Sequence, residues 1–427
     1  MKKCLIILTR KYPYAFGEPF LESEIDKHIK YYDKILILAQ DVSVNEKATR
    51  FLPESIEYYA TATGTRNKMR MRDVLHTPGK FFFSDAIIQD EIKGRKLTIL
   101  QRMFLSYFKS RCDRLFKEAV MKCKNIDFSG YDQITIYSYW LFANAMVAVD
   151  FKNYLKNVCN YKGRIILLSR AHRYDIYEES NKLDYLPCRN YLLSEFDYVY
   201  PCSENGTLYI KERMQNTKAG VQTAYLGTRD YGLSPEKCDG YFHIVSCSRV
   251  VKVKGIERMI DDFALLNSES EKIVWTHIGG GVEGKTGYFE KIKQYAEHKL
   301  KNISFEFKGA LANTEVYEYY KNNSVDVFVN CSYSEGLPVS LMEAISFGIP
   351  VIATDVGGSR EIIDQEKNGF LLPQDFKKGQ LSQKIEIMLK ESSDEKQIRR
   401  NEARKLWEKC YCAEKNYTDF AKMIAEI

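Results

Sequence analysis

The sequence predicts an α/β protein made of two doubly wound domains. A chain of 427 residues is longer than one hydrophobic core ordinarily serves, so two domains are the default. Short apolar runs rich in Ile, Val and Tyr alternate with longer stretches of helical spacing, which is the pattern of parallel sheets flanked by helices. The turn-rich segment Gly227 to Gly240, which lacks any periodicity, separates these runs into two sets.

In the first set, strands are expected near Cys4 to Thr9, Lys34 to Ala39, Ser55 to Tyr59, Gln133 to Ser138, Arg164 to Ser169, Asp197 to Pro201 and Gln222 to Leu226. In the second they fall near Phe242 to Ser246, Ile273 to Ile278, Ile303 to Phe307, Val325 to Cys331, Pro350 to Thr354 and Gly369 to Leu372. The expected division is a first domain over 1–228, a linker over 229–240, a second domain over 241–408 and a closing helix over 409–427. From about Asp394 to Ile427 the pattern is that of a charged amphipathic helix. Ligands of such sheets sit beyond the carboxyl ends of the strands, so the residues just after each strand are the candidates for function.

Composition narrows the class. Hydrophobic content of 45% is that of a globular protein. The eleven cysteines are odd in number and scattered, and several lie inside strand-like runs, so they read as reduced core residues of a cytoplasmic protein. Cys410 and Cys412 have no companion pair or histidine that would make a zinc site. The apolar start Leu5 to Leu8 meets Arg10 and Lys11 too soon to be a secretion signal and reads as the first buried strand. Net charge is +6 but uneven: Arg66 to Lys124 holds fifteen Lys or Arg against six Asp or Glu. In this stretch Leu100, Phe104, Phe108 and Leu115 recur at helical spacing, so Leu97 to Val120 is either an ordinary amphipathic helix or a basic helix resting on an anionic membrane surface, peripherally. No nucleic-acid recognition motif accompanies the charge.

The most informative segment is Ser334-Glu-Gly-Leu-Pro-Val-Ser-Leu-Met-Glu-Ala, with Glu335 and Glu343 at its ends, followed by a strand and Gly357-Gly358. It predicts strand, acidic loop, helix, strand, glycine loop. Pro338 suits the first turn of a helix starting near Leu337, whose free N-H groups would favour an anion. Two carboxylates beside a phosphate site would repel phosphate alone but suit sugar hydroxyls, so a nucleotide sugar is the ligand indicated. Upstream, Arg249 and Lys254 lie on a loop leaving a strand, where their charges can converge on a diphosphate, with Lys252 as a neighbouring alternative.

These motifs resemble the retaining glycosyltransferases with two Rossmann-like domains facing a central cleft, the GT-B fold, and specifically glycosyltransferase family 4. The resemblance implies that Glu343 binds the ribose, that Glu335 with Gly336 and Leu337 meets the donor sugar beside Pro338, and that Arg249 and Lys254 neutralise the departing diphosphate. It implies a donor-sugar contact for His172 in Ser169-Arg-Ala-His-Arg-Tyr-Asp175, where Arg173 replaces the family's glycine. It also implies donor contacts for Gly17 after the first strand, for Gly280 in the glycine loop Gly279 to Gly284, and for Gly309 bordering the base. Glu18 and Glu22 either line the acceptor side or cap and solvate the loop. In this family the terminal helix crosses back to the first domain. No Asp-x-Asp pair marks a metal, so the expected reaction is metal-independent hexosyl transfer from a nucleotide-sugar donor to a glycan or lipid-linked saccharide, in cell-surface polysaccharide synthesis, with no cofactor.

Three other functions fit parts of the sequence. The glycine loop Gly279-x-Gly281-x-x-Gly284, with Glu306 after it, is also the pattern of a nicotinamide-dependent dehydrogenase, although that would leave Arg249, Lys254 and both glutamates unexplained. A nucleotide-sugar epimerase of the same build would need no acceptor, and a noncatalytic partner subunit would bind the donor without turnover.

Overall fold

The computed structural model describes residues 1–15, 17–82, 85–213, 218–236, 239–266, 272–281 and 287–427. It divides into two compact units, Met1–Tyr225 with Tyr417–Ile427, and Leu226–Asn416.

The first unit is built on a seven-stranded sheet of β1 (Lys3–Thr9), β2 (Lys34–Ser43), β3 (Ile56–Ala62), β4 (Gln133–Ser138), β5 (Arg164–Ala171), β6 (Tyr198–Pro201) and β7 (Gly220–Val221), in the order β3-β2-β1-β4-β5-β6-β7. All of its pairings are parallel. Successive residues of a strand point to opposite faces, and here both faces are apolar. Cys4, Ile6 and Leu8 of β1 join one core with Leu36, Leu38, Ile134 and Ile136, while Leu5 and Ile7 join another with Ile35, Ile37 and Tyr137. The helix Ile99–Cys123 covers the first of these faces with Leu105, Phe108, Cys112, Leu115 and Ala119. Phe420, Ile424 and Ala425 of the C-terminal segment cover part of the second.

The second unit has six parallel strands, β8 (Tyr241–Cys247), β9 (Lys272–Ile278), β10 (Ser304–Gly309), β11 (Val327–Asn330), β12 (Val351–Thr354) and β13 (Gly369–Leu372), in the order β10-β9-β8-β11-β12-β13. The strand order reverses between β8 and β11 here, and between β1 and β4 in the first unit. Both are switch points of doubly wound sheets.

Four expectations change in detail. The seventh strand is Gly220–Val221 rather than Gln222 to Leu226, although Gln222 and Ala224 still donate to Val199 and Pro201 of β6. The turn-rich segment after Gly227 packs within the second unit: Thr228 bridges to Cys412, Ser234 donates to the Phe347 carbonyl and Arg404 pairs with Asp230. The tail forms two helices, Ser393–Cys410 and Ala413–Glu426, and the chain passes to the first unit at Tyr417. Finally, of the residues at helical spacing in the helix Ile99–Cys123, Phe108 and Leu115 point into the core, Phe104 packs partly buried against it and Leu100 is exposed, so the stripe is divided between core and solvent.

Candidate functional site

In the second unit the loops leaving the sheet at its switch point interlock through glycines. Gly255 has φ +62°, and a Cβ there would lie 2.1 Å from the Cys331 carbonyl oxygen, so the turn after β8 sits directly on the end of β11. The Tyr333 amide donates to the Val253 carbonyl across the same junction. A Cβ on Gly279, at φ +142°, would lie 1.8 Å from the Ser248 carbonyl, and the Gly279 amide donates to Gly309, itself at φ +71°. Gly357, at φ +55°, would bring a Cβ within 2.2 Å of the Glu335 carbonyl, and the Gly358 amide donates to that of Gly336. Left-handed backbone at such separations admits only glycine. The consequence is a rigid rim made from the ends of β8, β9, β10, β11 and β12.

Lys254 and Glu335 meet on this rim, Nζ donating to Oε1 at 2.5 Å, with Asn330 Nδ2 donating to the same oxygen at 3.3 Å. Arg249 lies on the same loop as Lys254 with its side chain in solvent and, among the described residues, unpaired. Lys252 is likewise exposed. The chain then passes through Gly336 and Leu337 into the helix Val339–Ser346, with Pro338 as its N-cap rather than its first helical residue. Glu343 belongs to a different network. It is almost fully buried on that helix, its carboxyl is pushed up to about 7 by burial, and it accepts the Tyr317 hydroxyl at 2.8 Å. Tyr317 in turn stacks on Tyr231 with centroids 4.6 Å apart. Gly280 packs against Ala310 just past Gly309. Gly284, the last glycine of the pattern, lies outside the described residues, and Glu306 is engaged by Lys308 at the sheet edge.

The first unit has its own constellation, again at the switch point. His172 follows β5, and its ring lies against Trp140 (4.5 Å between centroids) and Tyr139 (5.0 Å), both of which follow β4. Burial, followed by the nearby Arg170 guanidinium, pushes the imidazole down to about 3, so the ring is neutral, and neither nitrogen has a partner among the described residues. Asp175 joins the two loops by accepting the amides of Leu141 and His172, and burial pushes its carboxyl up to about 7. After β1 the chain wraps around Glu18, whose buried carboxylate accepts the amides of Arg10, Lys11 and Tyr12 and the Trp140 indole N-H. Of the two roles open to Glu18, the structure shows the capping one. Gly17 is held tightly beside Lys11, and its carbonyl accepts from Arg50.

Trp140 and Tyr139 were not singled out in the sequence, and Asp175 entered only as the last residue of the His172 segment. The first two stand immediately past a strand whose limits were legible, at the position where site residues belong, and that placement was the available signal.

Residues 234–405 match the family model described as glycosyl transferases group 1, and this span contains Arg249, Lys254, Glu335 and Glu343. The whole chain superposes on sucrose-phosphate synthase from Thermosynechococcus elongatus with a TM-score of 0.67 at 15% identity, covering 100% of this chain and 99% of that one. It superposes equally completely on Anabaena Alr3699/HepE, solved in complex with UDP, with a TM-score of 0.64 at 16% identity. The fold is that of a GT-B glycosyltransferase. In sequence, the chain is similar to the GtfA subunit of the UDP-N-acetylglucosamine–peptide N-acetylglucosaminyltransferase of Streptococcus pneumoniae, at 29% identity over 133 residues, which are 31% of this chain and 24% of that protein. Across the streptococcal GtfA relatives, the match covers between 24% and 40% of their length. The matched family model is one of transferases, which favours neither the dehydrogenase nor the epimerase.

Proposed function

We propose that this protein transfers a hexosyl unit from a nucleotide sugar, with retention of anomeric configuration as in glycosyltransferase family 4, to a glycan or lipid-linked saccharide in cell-surface polysaccharide synthesis. The observation that carries this reading is the Lys254–Glu335 pair on the glycine-locked rim of the second unit, inside the span matched by the family model. A cation and a carboxylate held side by side at a switch point suit a ligand that is anionic at one end and rich in hydroxyls at the other.

In this reading Lys254 and the free guanidinium of Arg249 meet the negative charge that grows on the leaving diphosphate. Because Lys254 and Arg249 together supply that compensation, we assign the reaction no divalent ion. Glu335, with the backbone of Gly336 and Leu337 and the turn at Pro338, accepts hydroxyls of the donor sugar, and Glu343 takes the ribose in exchange for the Tyr317 hydroxyl it holds in the free protein. Gly280 and Gly309 allow the nucleotide to approach the backbone closely. The acceptor hydroxyl attacks the anomeric carbon on the face the diphosphate leaves: the new C–O bond forms as the old one breaks, and the acceptor proton passes to the departing phosphate oxygen. In the first unit, the neutral imidazole of His172 can donate to or accept from a sugar hydroxyl without adding charge, and Gly17 stays with the phosphate side. Relatives and neighbours named for UDP or UDP-sugars support a nucleotide-sugar donor. The ten described cysteines are free thiols, which supports a reducing, cytoplasmic setting.

A donor panel of UDP-glucose, UDP-galactose, UDP-N-acetylglucosamine and GDP-mannose tests the proposal. Nucleotide release is expected with one of these, faster with extracted lipid-linked saccharides and undiminished by EDTA. No release from any donor with acceptors present would sink it, and donor binding without turnover would point instead to a noncatalytic partner subunit.

A further inference from the structure

The helix Arg66–Phe82 is turned inside out relative to an ordinary surface helix. The side it presents to the protein is polar. Asp73 is buried there and forms a two-pronged pair with Arg114 of the helix Ile99–Cys123, Arg114 also pairs with Glu118, and Lys80 pairs with Asp113 at 2.6 Å. Met69 is the one buried apolar residue of the helix. On the opposite side, Met71, Val74, Leu75 and Phe82 are 67%, 53%, 73% and 75% exposed. They recur at three-, four- and seven-residue intervals with exposed Pro78 among them, a continuous apolar stripe on one helical face.

The edges of this stripe are basic. Arg66, Lys68, Arg70 and Arg72 are exposed and, among the described residues, have no acidic partner, while the helix's single acid, Asp73, is buried on the other side. Apolar side chains flanked by unpaired cations form the pattern of a helix lying in a membrane interface. A second copy of the chain is a poorer occupant, because joining two stripes would set one row of cations against the other. Among the described residues no helix is long and apolar enough to cross a membrane, so the contact is a surface one.

We propose that the helix Arg66–Phe82 docks the protein on an anionic bilayer, with Met71, Val74, Leu75 and Phe82 in the headgroup layer and the four basic side chains on the lipid phosphates. This rests on the first unit alone and does not depend on the transfer reaction. Basic side chains near such a surface contribute about 1 kcal/mol each, so Arg70→Ala with Arg72→Ala should lower the partition coefficient roughly 30-fold.

Flotation of the full chain with phosphatidylcholine vesicles, alone and mixed with phosphatidylglycerol, tests this. Binding is expected to the mixed vesicles only, to weaken with added salt, and to be lost in Met71→Glu/Leu75→Glu with thermal unfolding unchanged. Should the double glutamate variant be misfolded, the Arg70/Arg72 alanine pair, which leaves the stripe intact, gives the deciding measurement. Equal binding to neutral vesicles, or binding that survives both variants, overturns the proposal. So does a wild-type dimer that the stripe variant turns into a monomer while neither binds vesicles.

Discussion

Glu343 is a buried acid whose one hydrogen-bond partner among the described residues is the Tyr317 hydroxyl. Burial raises its carboxyl to about 7, against an ordinary value near 4.5, so the folded protein keeps a proton there that the unfolded chain has already released. Stability is therefore fully present below about pH 4.5 and falls as pH rises towards 7, by on the order of 3 kcal/mol from this group. Glu343→Gln can still accept the Tyr317 hydroxyl and should flatten that decline. Melting temperatures of both proteins between pH 4.5 and 7.5 check it, and identical slopes would mean that Glu343 is ionised in the fold. Asp175, raised in the same direction, leaves part of the decline in the variant. At the rim, Lys254→Ala is expected to lower turnover about 100-fold or more if its charge meets the leaving diphosphate, and Arg249→Ala should follow in the same direction. An unchanged kcat in both would separate donor binding from catalysis. At this scale Lys254 and Glu335 were legible from their spacing around strands. The capping role of Glu18 was not, because a carboxylate with four donors looks in sequence like any loop glutamate.

Elements are held by backbone proximity as much as by side chains. The loop after β12 reaches the acidic loop after β11 only because Gly357 has no Cβ, so Gly357→Ala combines a left-handed backbone with a direct clash on the Glu335 carbonyl. A cost of roughly 2–4 kcal/mol is expected in urea unfolding, together with weaker donor binding as Glu335 shifts. Gly79, with open space around it, is the control: Gly79→Ala should be neutral or slightly stabilising in the same assay. Two helices show what periodicity can and cannot tell. Apolar residues at helical spacing marked Leu97 to Val120 as amphipathic, and there Phe108 and Leu115 face the core, whereas the helix Arg66–Phe82, not singled out from the sequence, turns Met71, Val74 and Leu75 to solvent. The period is a property of the sequence, whereas the side that faces the sheet is set by the partner helix, here by Arg114 and its acids.

For the molecule as a whole, the chain closes its first unit with its last residues. Phe420, Ile424 and Ala425 fill the core over β1, β2 and β4, and the fully buried Arg170 pairs with Glu24 while lying 4.1 Å over the Phe420 ring. Deleting Tyr417 to Ile427 would remove several buried side chains worth about 1.5–3 kcal/mol each and uncover a buried ion pair. That approaches the whole stability of a domain, so the truncated chain is expected to lose the unfolding transition of the first unit, or to aggregate, in a thermal scan. A truncated protein that melts like the full chain would show that these contacts contribute little.

Period, turn chemistry and strand-end position are local properties, so the two parallel sheets, twelve of the thirteen strands to within a few residues, and the position of Lys254, Glu335 and Gly357 just beyond strand ends could be read without the fold. Only the tertiary structure decided that Glu343 is sealed against Tyr317, that His172 is a neutral ring packed on Trp140, and which helix bares its apolar side. Those outcomes depend on burial and on partners far away in the chain, which no window of sequence contains.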